Sequence, residues 1–183
     1  MDNHIRVVAT GHDALGRAIV ASDATVGMRS PTLMPGLGFH FLWHRAQAPV
    51  FPDAGTADAG GPYFPQPGGL RWVVFTVPAE RHAPPPGTDL AAAKAEADVM
   101  LPGLLALMEP DHPGMHRSAT IDFAYVLDGE VVLDLGDGRE TLVRAGETVV
   151  QNATRHAWRN RSGRPCKLLV VMAGAATVQG EMG

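Results

Sequence analysis

Hydrophobic positions along this chain fall into short runs broken by glycine, proline and acidic turn residues. Ile5–Ala9 and Arg17–Ala21 flank Thr10-Gly11-His12-Asp13, a turn-forming stretch, and predict a hairpin. Gly38–His44 alternates around Phe39, Phe41 and Trp43, and Leu70–Val77 is rich in Trp, Val and Phe, so both predict strands. From residue 115 the runs come at close, even spacing: Met115–Ala119, Asp122–Leu127, Val131–Leu135, Glu140–Val143, Thr148–Gln151, His156–Arg159 and Lys167–Met172. Turn signals such as Asp128-Gly129, Gly136-Asp137-Gly138 and Ala145-Gly146 separate them, a pattern of antiparallel sandwiches and barrels. One segment departs from it. Thr88 or Asp89 can cap a short helix through Leu90–Val99, which Pro102-Gly103 interrupts before Leu104–Met108.

Glycine (21) and proline (15) concentrate at 49–69 and again at 84–87, which predicts loops there. A loop as long as 49–69 inside a compact domain is unusual and often either functional or mobile. With 183 residues the chain is expected to form a single domain: N-terminal strands and the long loop over 1–83, a Pro-rich linker and helix over 84–110, and a barrel core over 111–176.

A formal net charge of −4 gives no general attraction to nucleic acid or anionic lipid, so neither is an expected partner. The one basic cluster, Arg155, Arg159, Arg161, Arg164 and Lys167, reads as a solvated rim. Cys166 is the only cysteine, which excludes an internal disulfide. The N-terminal residues lack a signal-peptide h-region and no apolar run is long enough to span a bilayer, so a cytoplasmic location is expected.

The chemistry-bearing residues emerge from strand parity. His116, Ser118, Thr120, Asp122, Ala124 and Val126 share one face, while Arg117, Ile121, Phe123, Tyr125 and Leu127 share the other. A histidine and an acid are thus separated by small residues that leave room between them. In an antiparallel barrel His156, two residues before Trp158, can come alongside His116 and Asp122.

Here the chain resembles the cupins, whose motifs read GxxxxxHxHxxx(x)ExxxxxxG and GxxxxxPxGxxHxxxN. The corresponding stretches are His116-Arg-Ser118-Ala-Thr-Ile-Asp122, then six residues to Gly129, and Gly146-Glu-Thr-Val-Val-Gln151-Asn-Ala-Thr-Arg-His156-Ala-Trp-Arg-Asn160. The resemblance covers 111–176 and is similar to single-domain cupins found near secondary-metabolite and aromatic-compound enzymes. It implies an all-β double-stranded β-helix (jelly-roll) barrel with an N-terminal β extension and one short helix, a homodimer, and a small-molecule ligand in the barrel.

The departures bear on the metal. Ser118 replaces the second motif histidine, Asp122 stands where Glu is usual, and the second motif is one residue short at Gln151-Asn152. The implied ligand set is reduced to His116, Asp122 and His156, the composition of a facial triad suited to Fe, Mn, Ni or Zn. Gln151 can supply a further oxygen, and Tyr125 or Gln151 can orient substrate.

Two readings follow. One is a metal-dependent enzyme of oxygenase, decarboxylase or isomerase type acting on a small aromatic or polyketide-like molecule. The other is a metal-free binding or accessory barrel in which Asp122 and His156 join a polar network. Of the other histidines, His112 reads as an exposed loop residue, and His40 and His44 as structural residues sharing a face with Leu42 between them. His4, His12 and His82 read as surface, and Cys166 as a small buried hydrophobe.

Overall fold

The computed structural model describes residues 3–79 and 83–177. Three antiparallel sheets form. β1 (His4–His12) and β2 (Ala18–Gly27) make a separate two-stranded ribbon. The main sheet runs in the order β3 (Gly38–Arg45), β4 (Leu70–Val77), β10 (Cys166–Gly174), β5 (Thr120–Asp128), β8 (Thr148–Asn152). A three-stranded sheet, β7 (Glu140–Arg144), β6 (Glu130–Asp134), β9 (Ala157–Arg159), is the third. The all-β jelly-roll expectation holds, with the N-terminal strands β3 and β4 extending the main sheet from the edge of β10.

Period-two patterning decides which face is inside. Along β10, Cys166, Leu168, Val170 and Met172 are buried and pack with Val73, Ala124, Val126 and Val131. Along β5 the buried set is Thr120, Asp122, Ala124 and Val126, while Ile121, Phe123, Tyr125 and Leu127 stand exposed on the outer face. The inner face of β5 is therefore polar at its start and apolar beyond it. Gly129, at φ 83°, makes the turn into β6, where a Cβ would lie 2.8 Å from the Pro165 carbonyl oxygen.

Several local expectations change. β1 continues through Thr10–His12, because the turn forms later around Asp13, whose carboxylate accepts from the Leu15 and Arg17 amides. Only glycine fits at position 11 of this strand, because a Cβ there would overlap the Ala54 carbonyl oxygen. The predicted helix is α1 (Leu90–Met100), capped by Asp89 through the Ala91 and Ala92 amides. A second, single-turn helix follows, α2 (Leu104–Leu107), started by Gly103 in the left-handed region. Met115–Ala119 does not form a strand. His116 makes isolated bridges to Met108 and His156, although the alternation of burial from His116 through Val126 is as expected.

A bulge in β3 has a larger effect. Register shifts between Phe41 and Trp43, so Leu42 is the extra residue and side-chain parity flips. Phe39 and Phe41 lie opposite Phe75 and Val73, and after the bulge His44 pairs with Arg71 on that same face. His40 pairs with Val74 on the other face, where its Nε2 lies 3.1 Å from the Asn3 carbonyl oxygen. His40 and His44 therefore do not share a face, contrary to strict alternation.

Leu168, with no solvent exposure, lies at the centre of this core. Leu168→Ala is expected to lower stability by about 2–5 kcal/mol, whereas Leu90→Ala at an exposed helix position should cost less than about 0.5 kcal/mol. Urea denaturation of the two variants checks this.

Candidate functional site

The interior between the main sheet and the small sheet contains a cavity of about 540 Å³. Its walls are mainly apolar and aromatic, with Phe39, Tyr63, Phe64, Phe75 and Trp158 among them. Three ionisable side chains reach it from the barrel core: His116, Asp122 and His156. A largely apolar cleft of this size with a few convergent polar groups is the usual form of a small-molecule site.

The two histidines meet because their backbones pair. The His116 amide donates to the His156 carbonyl and the His156 amide to the His116 carbonyl, both at 3.0 Å. The residues therefore face each other directly, and their ring centroids are 4.5 Å apart. Each ring is also anchored in the same manner. His116 Nδ1 lies 3.1 Å from the Gly114 carbonyl oxygen and His156 Nδ1 lies 3.0 Å from that of Thr154. A carbonyl only accepts, so each Nδ1 carries the proton and each neutral ring keeps its lone pair on Nε2. Burial holds both rings neutral: it lowers the His116 pKa, and it lowers that of His156 to about 4 with a contribution from His116. Phe64 and Trp158 flank the pair, with centroids 5.5 Å from His116 and 6.0 Å from His156.

Asp122 is buried on the inner face of β5. Its Oδ1 has no hydrogen-bond partner, while Thr120 bonds the carboxylate. Thr120 is itself tied to Ser118, with the two hydroxyl oxygens 2.8 Å apart. Ser118 thus supports the Thr120–Asp122 contact from the position where the motif has a histidine. Burial raises the Asp122 pKa to about 6.

Two neutral imidazoles with fixed tautomers fit a divalent metal well, since anchoring Nδ1 aims Nε2 as a ligand. The expected third ligand does not close the set. Among the described residues no three His, Cys, Asp or Glu side chains are grouped to hold a metal ion. Aspartate is one methylene shorter than the glutamate usual at this position, and its carboxylate is bonded by Thr120 of the same strand.

Residues 104–172 match the family described as Cupin domain. They form a cupin domain. Over 69 residues the chain is 44% identical to phomopsin biosynthesis cluster protein D of Diaporthe leptostromiformis, covering 35% of this chain and 36% of that protein. Over 90 residues it is 32% identical to the cupin-domain-containing oxidoreductase srdB of Neurospora crassa, covering 46% of each. The aligned stretch thus spans between a third and a half of the length of these relatives. A cupin 2 conserved barrel domain protein from Salinispora arenicola overlaps 81% of this chain and 82% of its own at 15% identity, with a TM-score of 0.41.

Other residues singled out from the sequence lie away from the cavity. Tyr125 is 43% exposed on the outer face of β5, directed away from the cavity, so it does not face a bound molecule. The odd positions of β5 point outward, and Tyr125 follows that parity. Gln151 is buried opposite Asp122, but its amide nitrogen is spent on Thr154, donating to the carbonyl at 2.7 Å and to Oγ1 at 2.6 Å. It shapes the loop that presents His156 and does not line the cavity. His112 is exposed and lies 3.2 Å from Glu109. His4 is exposed, His12 Nδ1 meets the Asp53 carbonyl oxygen, and His82 lies outside the described residues.

The four arginines of the basic cluster are matched by acids. Arg155 pairs with Glu109, Arg159 with Asp134, Arg161 with Glu140 and Arg164 with Asp128. Arg159 and Arg161 also border the cavity. Tyr63 and Phe64 are site residues that the sequence reading missed. They come from the Gly/Pro-rich loop, pinned where the Tyr63 amide donates to the Pro102 carbonyl at 2.8 Å. Two adjacent aromatics within Gly61-Pro62-Tyr63-Phe64-Pro65 were the available signal, because such rings seek burial. Burial, then the nearby Asp122, pushes the Tyr63 phenol pKa up, so it stays protonated.

The carboxyl and the imidazole oppose each other in pH dependence. Asp122, its pKa raised to about 6, contributes stability that is full at low pH and lost as pH rises through that value. His156, its pKa lowered to about 4, contributes stability present above its ordinary range near 6.5 and lost as pH falls through 4. Asp122→Asn is therefore expected to be more stable than the parent at pH 8 by about 1–2 kcal/mol in chelator-treated protein. The advantage should vanish near pH 4, as urea denaturation at both pH values would measure.

Proposed function

We propose that the cupin domain is the active site of a metal-dependent oxidoreductase for a small, predominantly apolar molecule. In this reading His116 and His156 bind a divalent transition metal (Fe, Mn, Ni or Zn) through Nε2, and Asp122 is the acid–base group beside it. The observation that carries the reading is the pair of anchored, neutral imidazoles sharing an apolar cavity with an unpartnered buried carboxylate oxygen. When bound, the metal would supply Lewis-acid or oxygen-activating chemistry. Around it, Phe64 and Trp158 shield the two rings from water, and the phenol of Tyr63 donates a hydrogen bond to substrate. Asp122, with its pKa near 6, accepts a proton at its free Oδ1 at neutral pH and returns it without large cost. The aromatic walls suit an aromatic or polyketide-like substrate.

A second reading is a metal-free binding barrel, favoured by the failure of Asp122 to complete a three-residue ligand group. Metal analysis of chelator-free protein separates the two. About one equivalent of transition metal, lost in His116→Ala and His156→Ala but retained in His112→Ala, is the expected outcome. Less than about a tenth of an equivalent, with reconstitution also failing, would establish the metal-free barrel.

The domain is further proposed to form a homodimer over the outer face of β5 and β8. Ile121, Phe123, Tyr125, Leu127 and Val150 leave a contiguous apolar stripe exposed there. Light scattering should give twice the chain mass at micromolar concentration, and Phe123→Lys should return the protein to monomer.

A further inference from the structure

A second, smaller cavity of about 260 Å³ lies where β3, β4, α1 and the loop around Asp58–Gly61 meet, and shares no lining residue with the barrel cavity. It contains an arginine that should not be buried without cause. Arg71 is 7% exposed in the interior of β4, and among the described residues no carboxylate forms an ion pair with it. One of its terminal nitrogens donates to the Pro62 carbonyl at 2.8 Å, which secures the loop. Its Nε remains buried with no partner.

His44 lies opposite Arg71 in the strand pairing and is 6% exposed; neither ring nitrogen makes a hydrogen bond of good geometry, although the Asp58 backbone also acts on the ring. Three buried nitrogen atoms in one small cavity thus lack partners, where native proteins satisfy nearly all such groups. Gly61, at φ 87°, lies against the His44 ring, where a Cβ would approach Cε1 to 2.8 Å. The imidazole is therefore covered by backbone and cannot rotate freely toward water.

The remaining lining indicates what is missing. Phe41 forms a flat floor, with the guanidinium carbons of Arg29 and Arg71 each 5.9 Å from its centroid. Val99 and Met100 add apolar wall. Asp58, also lining the cavity, offsets one of the two arginines, and burial beside Arg71 keeps His44 neutral. One net positive charge suits a monoanion better than a dianion. A planar guanidinium fork beside an aromatic floor matches the flat geometry of a carboxylate.

We propose that this cavity is a second ligand site, for a small carboxylate monoanion bound by Arg71 and His44 over the Phe41 ring. The site is independent of the chemistry assigned to the barrel cavity.

Calorimetric titration of the full chain with benzoate, acetate and inorganic phosphate, in chloride-free buffer, tests it. Benzoate should bind one per chain and more tightly than phosphate. Arg71→Met should weaken benzoate at least about tenfold, and Arg71→Lys, which keeps the charge but loses the fork, several-fold. Because Arg71 also secures the loop, Asp58→Asn provides the complementary variant. Removing that charge should tighten benzoate about threefold, a gain that a damaged fold does not produce. His116→Ala should leave benzoate binding unchanged, which separates this site from the barrel cavity. No benzoate binding at about 10 mM, tighter binding of phosphate, or indifference to both Arg71→Met and Asp58→Asn would overturn the proposal.

Discussion

The reciprocal backbone hydrogen bonds between His116 and His156 are the contact on which the rest of the site depends. His116 precedes β5 of the main sheet and His156 precedes β9 of the small sheet, so this bridge joins the two sheets at the cavity. Two 3.0 Å bonds fix the backbones in direct opposition, and the side chains follow. Each ring is then locked by a carbonyl two residues earlier in its own chain segment. The tautomer, ring orientation and mutual distance follow from this backbone geometry, with Gln151 bracing the Thr154 carbonyl that holds the His156 ring. A bound group would find the imidazoles already oriented, so little ordering entropy would remain to be lost on binding.

The same geometry carries a thermodynamic cost. Burial disfavours charge, and both the lowered His156 pKa and the raised Asp122 pKa record that penalty. The polar line Ser118–Thr120–Asp122 runs along the inner face of a strand whose remaining inward positions are Ala124 and Val126. Replacing that line by apolar residues of similar volume would be expected to relieve the cost of burying a carboxylate whose Oδ1 has no partner.

Tyr63 lines the larger cavity and packs against Phe41, which lines the smaller one. Its ring packs on Phe39 and Phe41, with centroids 5.9 and 6.5 Å away, and its phenol experiences the fields of both Asp122 and Arg71. The strand pairings put His44, Arg71, Met172, Asp122 and Gln151 in one row across the main sheet. A single row of inward positions therefore supplies polar groups to both cavities, with Met172 as the apolar residue between Arg71 and Asp122.

Much of this molecule is legible in the amino-acid order alone. Alternation from His116 to Val126 determines which residues of β5 are buried, and the turn residues after it determine the hairpins, because side-chain period and turn chemistry are local properties. That His116 and Asp122 share one inward face was legible for the same reason, whereas the bridge from His116 to His156 forms only once the two sheets pack. What tertiary structure decided is non-local. A bulge at Leu42, invisible in the pattern Phe39-His40-Phe41-Leu42-Trp43-His44, moved His44 onto the inner face beside Arg71. The fold of the long loop brought Tyr63 and Phe64 into the cavity. Register and loop closure depend on contacts between residues far apart in sequence, and those contacts exist only once the sheets have packed.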